Sequence, residues 1–99
     1  MLYALIGEDA PDSLEKRLSV RPEHLERVKA LAAVGRVVLA GPFPAIDSPD
    51  PGPAGFSGSL IVAEFASLGD ARAWLAEDPY TRHGVFARTE VRPFKQVLP

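Results

Sequence analysis

Two side chains in this sequence have the chemistry of a proton-transfer site, His24 and Asp78. The charge of an imidazole changes near neutral pH, so a histidine in a cleft can serve as a general base. A carboxylate beside it would orient the ring and stabilise the imidazolium that forms. The two residues are far apart in the sequence, so only the fold can bring them together.

His24 is expected in the first turn of a helix that begins at Pro22, because proline suits that position. The partial positive charge at a helix N-terminus disfavours protonation, so the imidazole would stay neutral, as a general base or a metal ligand requires. The alternative is a surface histidine on an amphipathic helix, which is the commoner use of a lone histidine.

Asp78 is expected directly after a second helix, which Pro79 ends. The negative end of a helix repels an anion, so a carboxylate at that position suggests a specific partner. The alternative is an Asp-Pro helix stop that is exposed to water. Parallel helices would hold Asp78 and His24 apart, and the sequence pattern does not show whether the loops join them.

A small basic cluster, Lys16, Arg17 and Arg21, precedes the predicted first helix and could hold an anionic substrate or remain solvated. His83 is expected in an exposed polar turn. Four further residues are expected to line the substrate pocket beside His24 and Asp78 and to position the substrate: Gly41, Pro42, Ser59 and Tyr80. No phosphate-binding loop, zinc-protease motif, nucleophile elbow or dinucleotide fingerprint occurs, and no metal or cofactor is predicted.

Length and composition limit the class of protein. The 99 residues suit one domain, residues 1–99, and 46% of them are hydrophobic, as in a globular protein. The net charge of −2 gives no basic surface for nucleic acid or for an anionic membrane. Cysteine is absent and no signal peptide is recognised, so a cytoplasmic location is expected.

The hydrophobic pattern predicts the secondary structure that must position these residues. Strands are expected at 2–6, 36–40, 59–65 and within 85–95, and helices at 22–34 and 68–77. Ser67 and Asp70 form a capping box before the second helix. Loops are expected at 7–20 and at 42–58, where five of the ten prolines lie. The order βαββαβ indicates an α+β, ferredoxin-like fold with an antiparallel sheet.

The predicted sheet is apolar on both faces. Alternation places Val37 with Leu39 on one face of the second strand and Val38 with Ala40 on the other. The third strand sets Leu60 and Val62 against Ile61, Ala63 and Phe65. Two helices cover one face only, and no segment remains to cover the second. The pattern therefore predicts a homodimer that buries this face.

Motifs along nearly the whole chain resemble those of the YciI-like (YCII-related) family. They are Met1-Leu2-Tyr3, residues 13–22 with His24-Leu25, Ala40-Gly41-Pro42, Asp50-Pro51-Gly52 with Ala54-Gly55-Phe56, Ala63-Glu64-Phe65, Asp78-Pro79-Tyr80 with Gly84-Val85, and Pro93-Phe94-Lys95. The chain departs from the family pattern at residues 34–38, which affects packing rather than the candidate pair.

The resemblance implies a dimeric α/β barrel in which two ferredoxin-like sheets pack face to face. It also implies that His24 and Asp78 form the family's candidate active-site dyad. Related members act in aromatic degradation, including halide removal from a hydroxylated ring, and the wider superfamily includes muconolactone isomerases and cofactor-free monooxygenases. Most members of the family have no assigned substrate.

Three hypotheses follow for the pair. In the first, the protein is a cofactor-free acid–base enzyme, such as a lyase, an isomerase or a dehydrohalogenase, acting on a small oxygenated molecule. In the second, the protein is a non-catalytic module that binds a small molecule in the same cleft. In the third, His24 and Asp78 form a structural hydrogen bond between helices.

Overall fold

Four antiparallel strands form a single sheet in the computed structural model, which describes residues 1–99. The strands are β1 (Leu2–Asp9), β2 (Val37–Pro44), β3 (Phe56–Glu64) and β4 (Phe86–Phe94). Their order in the sheet is β2-β3-β1-β4, so β2 and β4 are the edge strands. This is the predicted ferredoxin-like arrangement, and the fold class is confirmed.

Three helices connect the strands: α1 (Leu14–Ala33), α2 (Leu68–Ala76) and the short α3 (Pro79–Arg82). A 3₁₀ turn, Gly52–Ala54, lies between β2 and β3. The two long helices pack on the same face of the sheet, which we call the helix face. None of the helices has the length and apolarity needed to cross a membrane.

The hydrophobic core lies between the helix face and the two long helices. Because side chains alternate along a strand, Tyr3 and Leu5 point into this layer, opposite Ala63 and Ile61 of β3. The helices contribute Val20, Val28, Leu31, Ala71 and Leu75. Burial of these side chains is the main force that holds α1 and α2 against the sheet.

Helix α1 begins eight residues earlier than predicted and contains Pro22 in its interior. Its buried positions recur at helical spacing: Arg17, Val20, His24, Val28 and Leu31. Two of the five are polar, so an apolar stripe alone does not reveal the first turns. His24 therefore lies in the middle of the helix, and the expectation that an N-terminal partial charge keeps it neutral is wrong.

Strands β2 and β3 extend into the segment predicted as a loop, and only residues 45–55 connect them. Pro42 and Pro44 fit in β2 because an edge strand does not need every backbone N–H for pairing. A register shift between Val37 and Leu39 places Val37 opposite Ala63 and Leu39 opposite Val62. The two therefore face opposite sides of the sheet, and their predicted shared face is wrong.

Helix α2 matches its prediction within one residue. The Ser67 hydroxyl oxygen accepts a hydrogen bond from the backbone N–H of Asp70 at 3.0 Å, which caps the helix as predicted. After α2 the chain continues through Asp78 and Pro79 into the single turn of α3. This tight connection fixes Asp78 beneath the middle of α1.

Candidate active site

His24 of α1 and Asp78, which precedes α3, form a hydrogen bond. The Nδ1 atom of His24 lies 2.8 Å from Oδ2 of Asp78. Asp78 has no exposed surface and His24 is 9% exposed. The structure thus brings together the two residues predicted from chemistry. Asp78 follows α2 as expected, whereas His24 lies in the middle of α1 rather than in its first turn.

Asp78 accepts hydrogen bonds at both of its carboxylate oxygens. The backbone N–H of Tyr80 donates to Oδ2 at 3.0 Å, and Nη1 of Arg27 donates to Oδ1 at 3.1 Å. The first of these bonds makes Asp78 the N-cap of α3. A carboxylate is favoured at the N-cap of a helix. The attraction of Asp78 to the N-terminus of α3 therefore offsets the repulsion that was expected from the negative C-terminal end of α2.

The hydrogen bond to Asp78 determines which nitrogen of His24 is free. A carboxylate oxygen can only accept, so Nδ1 carries a hydrogen, and in the neutral imidazole the lone pair is then on Nε2. No protein group bonds to Nε2, and no buried polar side-chain atom lacks a partner, so Nε2 is open to solvent space. The geometry is that of an oriented imidazole base.

A cavity of about 170 Å³, which we call the inner cavity, lies in front of His24 between α1, β2 and β3. It is lined by every residue predicted to bind substrate: Arg17, Arg21, Gly41, Pro42, Ser59 and Tyr80. Leu25, Val28 and Ile61 add apolar wall. The predicted residues are therefore neighbours in space, while their part in binding stays a prediction.

Arg17 is buried within α1 rather than lying in a loop before it. Its Nε and Nη2 atoms each donate to one carboxylate oxygen of Asp9 at 2.8 Å, and Nη2 also donates to the Ser59 hydroxyl at 2.9 Å. Both charged side chains are 4% exposed. Such a bidentate ion pair holds a buried guanidinium in one orientation.

Tyr80 lies between the charged groups of the site. Its ring stacks on the His24 imidazole with 4.0 Å between centroids and 14° between planes, and Cζ of Arg17 lies 4.6 Å from its centroid. Burial raises the pKa of the Tyr80 phenol above its ordinary value of 10.0, against smaller opposing effects of the Arg17 and Arg21 charges. At neutral pH the phenol is therefore a hydrogen-bond donor.

Two residues of the site were not predicted, Asp9 and Arg27. Arg27 lies three residues after His24, so helical spacing places both on one side of α1 and could have indicated it. Asp9 was missed because the first strand was expected to end at residue 6. Of the remaining candidates, Lys16 and His83 are exposed and do not line the inner cavity.

No group of three or more His, Cys, Asp or Glu side chains is arranged to hold a metal ion. Two pairs of titratable side chains border the inner cavity: His24 with Asp78, and Arg17 with Asp9. These pairs can carry out acid–base chemistry through their own side chains.

Sequence comparison finds close relatives over the full length. The family model described as the YCII-related domain matches residues 1–95. The chain is 56% identical over 98 residues to Protein YciI of Escherichia coli O6:H1, covering 99% of this chain and all of the relative. It is 50% identical, with the same coverage, to an uncharacterized protein of Haemophilus influenzae.

Solved structures share the fold. The 5-chloro-2-hydroxyhydroquinone dehydrochlorinase (TftG) of Burkholderia phenoliruptrix AC1100, in complex with 2,5-dihydroxybenzoquinone, superposes with a TM-score of 0.83. It is 27% identical, and the match covers 96% of this chain and 94% of the dehydrochlorinase. An antibiotic biosynthesis monooxygenase matches with a TM-score of 0.53 at 15% identity, covering 99% of this chain and all of the monooxygenase, which shows likeness of fold alone.

Proposed function

We propose that this chain, which belongs to the YCII-related family, is an enzyme that transfers a proton on a small, oxygenated, anionic ring compound by acid–base chemistry of its own side chains. The observation that carries the proposal is the 2.8 Å contact between His24 and Asp78, with Nε2 of His24 open to the inner cavity. The likeness to a dehydrochlorinase supports a catalytic role for such a cavity.

In the proposed reaction His24 is the base. Its Nε2 accepts a proton from a hydroxyl group or a ring carbon of the substrate, and Nδ1 keeps its hydrogen toward Asp78. The positive charge that forms on the imidazole is stabilised by the buried carboxylate, whose field is little screened there. Asp78 orients the ring and is not the proton acceptor.

The electron pair that remains on the substrate when the proton leaves determines which product forms. A halogenated phenol reacts in its keto tautomer, in which one ring carbon is tetrahedral and carries both a hydrogen and the halide. When His24 removes a hydroxyl proton, the O–H electron pair forms a carbonyl, the adjacent ring double bond shifts to the halide-bearing carbon, and the halide leaves with its bonding pair. The products are a quinone-type ring, a halide ion and the imidazolium proton, which passes to water. Without a leaving group, His24 returns the proton to another atom and the step is an isomerisation.

The lining of the inner cavity supports an oxygenated, anionic substrate. Arg21 and the one unbonded nitrogen of Arg17 supply positive charge, and the Tyr80 phenol and Ser59 hydroxyl supply hydrogen-bond donors. Charge-assisted donors around an apolar floor are suited to a phenolate or hydroxyquinone oxygen.

The test supplies purified protein with 5-chloro-2-hydroxyhydroquinone and measures free chloride, with deuterium exchange into ring positions of unhalogenated analogues as a second readout. His24→Gln should lower either rate about 10²–10⁴-fold, the usual contribution of a general base. His83→Gln is the matched control, since His83 is the other histidine and is exposed. Equal loss in both variants would contradict the assignment.

The same measurements separate the two other roles of the pair. A binding module would take up 2,5-dihydroxybenzoquinone without any turnover, and His24→Gln would abolish that uptake. A structural hydrogen bond would leave ligand binding unchanged, and His24→Gln would lower the free energy of unfolding by about 1–3 kcal/mol. Either result would overturn the enzymatic role.

We further propose that this single-domain chain acts as a homodimer through the face of the sheet opposite the helices. Leu39 and Phe43 of β2 and Phe94 of β4 lie on that face and are 50%, 41% and 42% exposed. Between these residues at the two edges lie the half-buried side chains of Leu2, Ala4, Ile6 and Leu60. Exposed apolar surface of this kind typically marks an interface. Light scattering at micromolar concentration should give twice the 10.7 kDa chain mass, and Leu39→Glu should give the monomer.

A further inference from the structure

A second cavity of about 330 Å³, which we call the outer cavity, adjoins the inner one. Arg17, Arg21 and Pro42 line both cavities, so the two share a wall and meet at these residues. The outer cavity lies under the segment between β2 and β3. Its remaining lining consists of Leu14, Leu18, Asp50, Pro51, Gly52 and Phe56.

We propose that the outer cavity binds an apolar arm carried by the substrate whose oxygenated ring occupies the inner cavity. The proposal rests on the function proposed above and names its substrate class more closely: an amphipathic, ring-substituted hydroxyquinone or phenol. The substituent passes Arg21 and lies between α1 and the segment that holds Pro51.

The sizes of the two cavities support an extended ligand. Pockets that hold drug-sized ligands measure roughly 300–1,000 Å³. The inner cavity, at about 170 Å³, is below that range and suits one small ring. The inner and outer cavities together fall within it, so the combined space accepts a ring with a substituent.

The chemistry of the outer wall decides which substituent fits. Leu14, Leu18 and Phe56 supply apolar surface, and Leu18 is 55% exposed although it lies beside this concave wall. Asp50, the one acidic residue of the lining, would disfavour a second anionic group there. A neutral hydrocarbon arm therefore suits the outer cavity better than a second anionic group.

Arg21 lies at the boundary and makes no ion pair in the structure, unlike Arg17, whose charge is balanced by Asp9. A cation without an acidic partner at the junction of the cavities can bind the anionic oxygen of the ring at its edge. This places the charged part of the ligand beside Arg21 and directs the arm outward, past Leu18.

The test compares 2,5-dihydroxybenzoquinone with its 3-hexyl derivative in a calorimetric titration, which needs no turnover. The hexyl compound should bind the wild-type protein at least about tenfold more tightly, since each buried CH₂ group adds to affinity. In Leu18→Ser the ratio of the two dissociation constants should fall toward one. Val34→Ser is the control, because Val34 is exposed at the other end of α1 and should leave the ratio unchanged.

The outcomes separate this inference from the proposed function. Repeating the titrations in His24→Gln tests the outer cavity without the base, and the hexyl preference should persist there. Equal affinity for the two compounds in the wild-type protein would overturn the arm-binding role and leave the proposed chemistry standing. Binding of neither compound would overturn both the arm-binding role and the proposed ring class.

Discussion

The imidazole of His24 and the phenol ring of Tyr80 stack 4.0 Å apart, and a single oxygen of Asp78 holds both residues. Oδ2 of Asp78 lies 2.8 Å from His24 Nδ1 and accepts the backbone N–H of Tyr80 at 3.0 Å. One buried atom thus fixes the direction of the candidate base and the position of the neighbouring phenol. The order of the site depends on Asp78 more than on either ring.

Replacing Asp78 by asparagine should disturb both the chemistry and the fold. The amide places an NH₂ group where three donors converge and removes the charge that balances Arg27. We expect at least a 100-fold loss of the proton-transfer rate and a fall of about 3–5 kcal/mol in the free energy of unfolding. Urea unfolding followed by fluorescence of Trp74, the single tryptophan, measures the second.

Asp47→Asn is the matched control, because Asp47 is exposed and lies outside both cavities. It should leave the rate and the urea midpoint close to the wild-type values. An Asp78→Asn protein with wild-type rate and midpoint would show that the carboxylate neither orients His24 nor satisfies the donors around it.

Arg27 should act as a positioning residue through Asp78. Its Nη1 atom donates to Asp78 Oδ1 and to the Trp74 carbonyl oxygen, and its guanidinium covers the Trp74 indole at 4.2 Å. In Arg27→Met the Asp78 carboxylate loses one of its donors, so the His24 ring is held less firmly toward the inner cavity. We expect kcat for the proton transfer to fall about 10-fold to 100-fold with little change in KM, because the residues that line the inner cavity are unchanged.

The control is Arg72→Met, since Arg72 is an exposed arginine of α2 that forms no ion pair. A purely structural role for Arg27 would lower the free energy of unfolding and leave kcat of the folded protein unchanged. A rise in KM with an unchanged kcat would also contradict the positioning role.

The sequence predicted the sheet and α2 better than it predicted α1, for a physical reason. Strands and α2 bury mainly apolar residues, so alternation and helical spacing reveal them. In α1 the buried stripe includes Arg17 and His24, whose burial depends on partners from β1 and from the turn before α3. Polar residues that are buried only because of tertiary partners look exposed in a sequence, and Pro22 then resembles a helix start.

The same limit applies to the candidate site. His24 and Asp78 could be predicted because their chemistry is uncommon at such positions and because the chain resembles a known family. Arg27 looks like an ordinary surface charge on a helix, and its role appears only when Asp78 lies beneath it. The pairing of Asp9 with Arg17 needs the full length of β1, which the hydrophobic run does not show.

Gly58 of β3 should be intolerant of a side chain. A Cβ atom at this position would overlap the carbonyl oxygen of Gly7 in β1, and that atom belongs to the backbone and cannot move aside cheaply. We expect Gly58→Ala to lower the free energy of unfolding by about 1–3 kcal/mol, as overpacking does in a tight core. Urea unfolding provides the measurement.

Gly69→Ala is the matched control in α2. A Cβ atom there would meet the Ser67 hydroxyl oxygen at 3.7 Å, an ordinary contact, and alanine is preferred to glycine in a helix by about 0.5–1 kcal/mol. This variant should be as stable as the wild type or slightly more stable. Equal urea midpoints for the Gly58 and Gly69 variants would show that β1 and β3 can move apart to admit a Cβ atom without lowering the free energy of unfolding.

Tyr80 should titrate above pH 10.0, because burial raises the pKa of its phenol. Tyr3→Phe leaves Tyr80 as the single tyrosine, so ultraviolet absorbance of the tyrosinate reports Tyr80 alone. In the unfolded chain the phenol loses its proton near 10.0, whereas the folded protein still holds it. The unfolded state then binds fewer protons, so the free energy of unfolding falls as pH rises from 10.0 toward the folded pKa.

Tyr80→Phe keeps the ring that stacks on His24 and removes the ionising group. Its free energy of unfolding should therefore lack the part of the alkaline decline that Tyr80 causes, while both proteins lose stability alike through their other groups. The comparison is made by urea unfolding at several pH values below and above 10.0. A tyrosinate midpoint at or below 10.0, or an identical alkaline decline in both proteins, would mean that the phenol is better solvated in the folded protein than its burial beside Phe86 and Arg17 implies.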